Sequence, residues 1–390
     1  MKNRRIFLFV LDSLGIGKAP DAEKFKDGAC NTLQSIFAAP HFHVPNLQKL
    51  GLFNIEGIDF GEKTAAPAGA FARLQEVSMG KDTTTGHWEI AGIESKTALP
   101  LYPEGFPPEI IEALEKASGR KILCNRPYSG TKVLEDYGQQ QLQEDALIVY
   151  TSADSVMQIA AHEEQIAPEE LYAICKQARQ IMQGPHGVGR IIARPYKGSY
   201  PDFERTANRH DFSLEPPAVT MLDVLAAHGY QTTGIGKISD IFAGRAVRRH
   251  IASTDNNDGM QKALACQQED FQGLCFINLV DFDMKYGHRR DINGYAQALC
   301  EFDKKLELFL ARMQAEDILM ITADHGCDPG APGTDHTREY VPWLVYGQAI
   351  RPGTDLKTLA SFSSIAATIQ ELFDLPIETA GKSFAREILK

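Results

Sequence analysis

Apolar and polar positions along this chain alternate between two regimes. Five short apolar runs, Ile6–Leu11, Leu147–Tyr150, Arg190–Ala193, Cys275–Val280 and Ile318–Thr322, read as buried strands. Between them apolar residues recur at helical spacing. Pro108 to Ser118 places Ile110, Ile111 and Leu114 on one face and stops at Gly119. Pro168 to Met182 opens on proline and two glutamates, then carries Leu171, Ile174, Ala178 and Ile181 on one stripe. A third helix is expected over Ala218 to His228, ended by Gly229 and followed by a strand-like run to Ile235. A fourth is expected from Asn293 to Gln314, leading into Ile318–Thr322. Strands alternating with helices predict α/β architecture.

Prolines mark two boundaries, at Pro100, Pro103, Pro107 and Pro108, and at Pro216–Pro217. The segment between them, 98–217, has the size of one domain. It is expected as an insertion in a core formed by 1–97 and 218–390, because the chemistry below occurs on both sides of it.

Composition narrows the class. With 390 residues, 43% hydrophobic and 23% charged, the chain has the makeup of a folded globular protein rather than a disordered one. Its net charge of −11 argues against a nucleic-acid partner, so an anionic ligand needs a local basic cluster. The seven cysteines, Cys30, Cys124, Cys175, Cys266, Cys275, Cys300 and Cys327, are odd in number and include no CxxC pair. This predicts a reduced, cytoplasmic protein. Lys2, Arg4 and Arg5 precede an apolar run too short for a signal sequence, and no run is long enough to cross a membrane, so no membrane association is expected.

Three of the strands end in acids: Ile6–Leu11 at Asp12, Cys275–Val280 at Asp281 and Asp283, Ile318–Thr322 at Asp324 and His325. Sites in open parallel sheets form beyond the carboxyl ends of the strands, which would bring these acids to one rim. His288 follows Asp283 closely, and His336 lies in Gly333-Thr334-Asp335-His336-Thr337. Alone, each is an ordinary turn or surface residue. Together, Asp12, Asp283, His288, Asp324, His325 and His336 are enough for two divalent ions with open positions, of manganese, zinc, iron or magnesium type. Such a pair clamps both oxygens of a phosphoryl displacement. Gly80-Lys81-Asp82-Thr83-Thr84-Thr85-Gly86-His87-Trp88-Glu89 sets three hydroxyls at the start of a helical pattern, either as a threonine N-cap or as a nucleophile needing activation. Gly15-Ile16-Gly17 and Gly234-Ile235-Gly236-Lys237 fall short of nucleotide-binding fingerprints, although Lys237 follows a strand and can reach the same rim. Arg190, Arg194, Arg205 and Arg209 form the basic cluster an anion would need.

Several stretches carry a family likeness, in order along nearly the whole chain. They are Arg5 to Gly17, Gly80 to Glu89, Tyr150 to Val156, Asn208 to Asp211, Gly236 to Asp240, Asp281 to Arg290, Thr322 to Gly326 and His336 to Tyr340. On these the chain resembles the phosphopentomutases of the alkaline phosphatase superfamily. The resemblance implies an alkaline-phosphatase-like core, with a mixed, mostly parallel sheet between helices, and an inserted α+β cap domain. It implies an isomerase interconverting ribose 1-phosphate and ribose 5-phosphate, and the 2-deoxyribose phosphates, through a pentose bisphosphate. Two manganese ions would be held by Asp283, His288 and His336, and by Asp12, Asp324, His325 and the nucleophile. Thr83 falls on the family's phosphothreonine, with Thr84 and Thr85 as rivals by sequence. Ser152, Asp154, Arg190, Arg205 and Lys237 would line the sugar and phosphate pocket. Glucose 1,6-bisphosphate would prime the enzyme, a monomer or weak oligomer acting on small pentose phosphates. The alternatives within the superfamily are a phosphoglycerate mutase and a phosphatase. Cys327 stands where family members often carry asparagine and is not assigned as a ligand.

Overall fold

The computed structural model describes residues 4–152 and 154–390; Lys2 and Ala153 lie outside the described residues. In chain order the strands are β1 (Arg5–Leu11), β2 (Ala70–Leu74), β3 (Ile122–Pro127), β4 (Leu147–Thr151), β5 (Val156–His162), β6 (Arg190–Ser199), β7 (Asp202–Arg205), β8 (His210–Ser213), β9 (Gln231–Ile235), β10 (Arg249–Ile251), β11 (Gly273–Leu279), β12 (Asp317–Thr322), β13 (Val341–Tyr346) and β14 (Asp355–Leu359). The chain divides into two compact units, one running to Thr97 and resuming over Pro216–Lys390, the other Ala98–Glu215. Pro216 belongs to the larger unit, where Arg245 Nη1 donates to its carbonyl at 2.9 Å.

The larger unit holds a sheet in the order β10-β9-β11-β1-β12-β13-β2-β14. From β10 to β12 every pairing is parallel; β13 runs antiparallel to both β12 and β2. β1 is central because nothing polar interrupts Ile6–Leu11, and a strand covered on both faces needs such a run. Its Phe7 and Phe9 rings meet Phe309 of the helix Ile292–Ala311 edge to face, both at 5.2 Å. Each such buried ring contributes about 1.5–3 kcal/mol. At the other end of β1, Arg5 donates twice to Asp317 of β12 (2.7 and 2.8 Å) and once to the Gln267 carbonyl (2.9 Å), which satisfies a buried charge.

The smaller unit holds a six-stranded mixed sheet, β3-β4-β5-β6-β7, with β8 also pairing β6. Met157, Ile159, Ile191 and Ala193 pack on one face with Leu114 and Ile174 of the helices Pro108–Ser118 and Pro168–Ile181. Ile148, Tyr150, Ala160 and Tyr196 pack on the other with Val133 and Leu134 of the helix Lys132–Glu144.

Some elements differ from the sequence expectation for physical reasons. The helix expected over Ala218 to His228 runs Met221–Ala227, because Thr220 and Asp223 close a capping box that fixes its start. The strand expected over Arg190–Ala193 continues to Ser199. Pro195 is tolerated there because β6 changes partner from β8 to β7 across it, Ala193 pairing His210 and Tyr196 pairing Arg205. The long helix is Ile292–Ala311, begun by Asp291, whose side chain accepts from the Gly294 amide.

Candidate active site

Because β11, β1 and β12 are parallel neighbours, their carboxyl ends open on one rim. Asp12 follows β1 directly, and Asp324 and His325 follow β12. After β11 the chain makes a single π-helical turn, Phe282–Gly287, which carries Asp283 inward and delivers His288 at its end. Such turns are frequent at functional sites, and nothing in the local apolar pattern announced this one. Lys237 follows β9 on the same rim, and its charge acts on Asp12.

The six expected ligands converge. His325 Nε2 lies 3.6 Å from Asp12 Oδ1 and 3.3 Å from Asp324 Oδ2. Asp283 faces His288 Nε2 through one oxygen and His336 Nε2 through the other, both at 3.3 Å. The His325 and His336 rings stand 4.0 Å apart, so the two groups adjoin.

These groups do not satisfy one another. Asp12 Oδ1, Asp283 Oδ1, Asp324 Oδ2 and His336 Nε2 are buried without a hydrogen-bond partner. Burial and the neighbouring Asp324 and Asp283 carboxylates push Asp12 well above the usual carboxylate range. Burial acts the same way on Asp283, but the facing His288 and His336 imidazoles outweigh it and hold that carboxyl well below its ordinary value. Asp324 is likewise lowered, burial being outweighed by His325 and His87. Burial lowers His325. His336 is raised, because Asp283 outweighs its burial. Buried oxygens without donors, crowded carboxylates and imidazole nitrogens aimed among them form the donor set a divalent cation requires.

Thr83 opens the helix Thr83–Ile90, and its Oγ1 lies 3.3 Å from His325 Nε2. The cap of this helix is Asp82 rather than a threonine: its side chain accepts from the Thr85 amide (3.1 Å) and the Thr85 hydroxyl (2.7 Å). Thr85 is thus committed to the cap, and Thr84 is nearly buried.

A sequence model of the metalloenzyme superfamily matches residues 4–377. The phosphopentomutase of Lachnoclostridium phytofermentans is 54% identical over 99% of this chain and 100% of its own length. Those of Caldanaerobacter subterraneus and Clostridium novyi are 51% and 49% identical, over 99% of this chain and 98% and 99% of theirs. This chain belongs to the phosphopentomutase family. It is accordingly a phosphotransferring isomerase with an alkaline-phosphatase-like α/β fold.

The structure explains residues of the phosphopentomutase motifs that sequence reading left without a role. Arg338 is fully buried; it pairs with Glu76 (2.6 Å) and Asp21 (3.0 Å) and donates to the Gly80 carbonyl (2.6 Å). Lys81 bonds Asp27 (2.9 Å) and Asp335 (3.3 Å), so the threonine motif and the His336 loop are tied together. Gly15 leaves room for Glu339, whose Oε2 would lie 2.3 Å from a Cβ there. That carboxylate accepts from Gly17, Thr32 and Thr337, which gives the Gly-Ile-Gly stretch a structural task. Asn278, inside an otherwise apolar strand, and His87 were also missed. A fully buried amide in such a strand is a signal, because it must have partners.

Cys327 Sγ is 3.9 Å from His288 Nδ1, which lies 2.6 Å from the Thr334 carbonyl. The thiol therefore stands behind the face His288 turns to Asp283, and burial pushes its ionisation far up.

Of the expected pocket residues, Ser152, Asp154, Arg190 and Arg205 belong to the smaller unit and Lys237 to the larger. Ser152 and Asp154 sit in the turn between β4 and β5, where Ser152 Oγ accepts from the Asp154 amide at 3.3 Å. Arg190 begins β6, 3.7 Å from Asp211. Arg205 ends β7 and donates to the Tyr150 hydroxyl at 2.8 Å. By strand alternation Arg190 and Arg194 share the sheet face of Tyr196. Arg194 donates to Gln158 (3.0 Å), and burial, with Arg209 and Arg205 nearby, lowers it to about 10. Asp211 pairs with Arg190 and Arg209 on that face.

Among the described residues no helix is long and apolar enough to cross a membrane.

Proposed function

We propose that this chain interconverts ribose 1-phosphate and ribose 5-phosphate, and the corresponding 2-deoxyribose phosphates, through a phosphothreonine at Thr83. The observation that carries this reading is the Thr83 hydroxyl, 3.3 Å from His325 and beside buried acceptors without partners. Asp283, His288 and His336 would hold one divalent ion, and Asp12, Asp324, His325 and Thr83 a second; manganese is the ion the resemblance implies. When bound, these ions neutralise phosphoryl oxygens and lower the cost of bringing two oxyanions together.

Phosphorylated Thr83 gives its phosphoryl group to the free hydroxyl of a pentose monophosphate. The resulting bisphosphate reorients or rebinds, and Thr83 takes the other phosphoryl group back. As the first residue of its helix, Thr83 carries that charge at the positive end of the helix dipole. Ser152, Asp154, Arg190, Arg205 and Lys237 hold the sugar and its second phosphate. The smaller unit serves as a cap that excludes water, since an open phosphoenzyme would hydrolyse. Glucose 1,6-bisphosphate primes the enzyme, which works as a cytoplasmic monomer or weak oligomer.

Intact-mass and peptide mapping after incubation with manganese and glucose 1,6-bisphosphate tests the nucleophile. One phosphoryl group on Thr83, absent from Thr83→Ala, is expected. Phosphate that persists in Thr83→Ala overturns the assignment.

A further inference from the structure

Behind the candidate ligands lies a layer the mechanism above does not use. Asn278, on β11, is buried, and its Nδ2 donates to Asp12 Oδ2 at 2.7 Å. An amide nitrogen carries two protons. The other partner within reach is Nε2 of His87, 3.4 Å away. His87 is wholly buried on the helix that Thr83 opens. Its Nδ1 lies 2.9 Å from the Thr83 carbonyl oxygen and 3.1 Å from Asp324 Oδ2.

A carbonyl oxygen only accepts, so Nδ1 carries the imidazole proton and Nε2 is left to accept. The protons are then consistent along the chain of contacts. Asn278 gives one to Asp12 and points the other to His87, and His87 gives its own to Thr83. Asp12 Oδ1 and Asp324 Oδ2 stay without a donor, which leaves one oxygen of each carboxylate open toward the site. The contacts join β11, the end of β1 and the first turn of the Thr83 helix.

We propose that Asn278 and His87 are positioning residues acting as one relay, which holds Asp12 and the start of the Thr83 helix in fixed register. The inference rests on the reading of Thr83 as nucleophile beside a cation held by Asp12, Asp324 and His325. Packing alone does not account for the pair. Leucine would fill either place, yet it would leave Asp12 Oδ2 without this donor or withdraw the imidazole from the Thr83 carbonyl.

The test compares wild type with Asn278→Leu, His87→Leu, the double variant, and the milder Asn278→Ser and His87→Asn. Manganese titration calorimetry on the metal-free enzymes and steady-state kinetics are the readouts. Loss of a group that orients a metal ligand costs about tenfold to a hundredfold in affinity. Each leucine variant should weaken one of two manganese affinities by that factor and leave the other unchanged. kcat should fall without a matching rise in KM, and the double variant should lose less than the product of the single losses. His87→Asn keeps a donor near the Nδ1 position and should recover most of kcat.

Equal weakening of both affinities with a lowered melting temperature in all variants, including the milder ones, overturns the relay in favour of a purely structural role. So do independent, multiplicative losses, or native kcat in both leucine variants. If wild type binds fewer than two manganese ions, the two-ion reading fails, and the relay then stands or falls on the kcat pattern and its non-additivity.

Discussion

Gly86 lies against the backbone of Asp324: a Cβ at Gly86 would stand 2.1 Å from the Asp324 carbonyl oxygen. The helix that presents Thr83 thus packs backbone to backbone on the strand end that presents Asp324 and His325. The glycine of the threonine motif is required by this approach. Gly86→Ala should push the two elements apart, and a displacement of about 1 Å in a catalytic group can cost about a hundredfold in rate. kcat near one hundredth of wild type, with an unchanged circular dichroism spectrum, is the expected outcome. A native kcat would mean that the packing yields without moving Thr83.

Asp12 is buried beside two other carboxylates, and one of its oxygens lacks a partner. Asp12→Asn should therefore raise the melting temperature of the metal-free protein, because it removes a charge the fold does not neutralise. The same change should remove the share of the manganese gain that comes from the ion at Asp12, Asp324 and His325, and leave the share from the ion at Asp283, His288 and His336. In wild type each ion contributes about 2.7 kcal/mol at a hundredfold excess over its Kd. Thermal melts with and without manganese check both signs.

Arg190 opens β6 on the basic face of the smaller unit. Arg190→Ala should raise KM for ribose 5-phosphate by roughly tenfold or more, from the loss of a charge-assisted hydrogen bond of about 1.5–3 kcal/mol. It should also release inorganic phosphate, if this residue helps to keep water from the phosphoenzyme. Coupled assays for isomerisation and for phosphate separate the two effects. An unchanged KM counts against the assignment.

Arg338 is buried with Glu76 and Asp21 as charge partners. Arg338→Met leaves the Glu76 carboxylate buried and unpaired, which should destabilise the fold by about 3–5 kcal/mol. Urea denaturation reads this directly, and a loss below about 1 kcal/mol would show that the pair contributes little beyond its packing.

The rim of acids was legible because strands buried on both faces contain almost no polar residue, so Asp12 and Asp324 stand out where their runs stop. The π-turn holding Asp283 and His288 was not legible, since no local period of apolar residues marks it. The three threonines look alike in the sequence, and only the structure shows that Asp82 claims the Thr85 hydroxyl. Asn278 and His87 gained meaning only through partners distant in sequence. The end of the helix at Ala227, by contrast, was read to within a residue, because Gly229 follows as an ordinary stop signal.

The most direct test of the account is phosphorus NMR of the manganese-loaded enzyme with ribose 1-phosphate and a trace of glucose 1,6-bisphosphate. Ribose 5-phosphate should accumulate without inorganic phosphate, and Thr83→Ala should abolish the conversion by at least about a thousandfold. Accumulation of inorganic phosphate in place of ribose 5-phosphate would contradict the mutase mechanism and make this site a phosphatase.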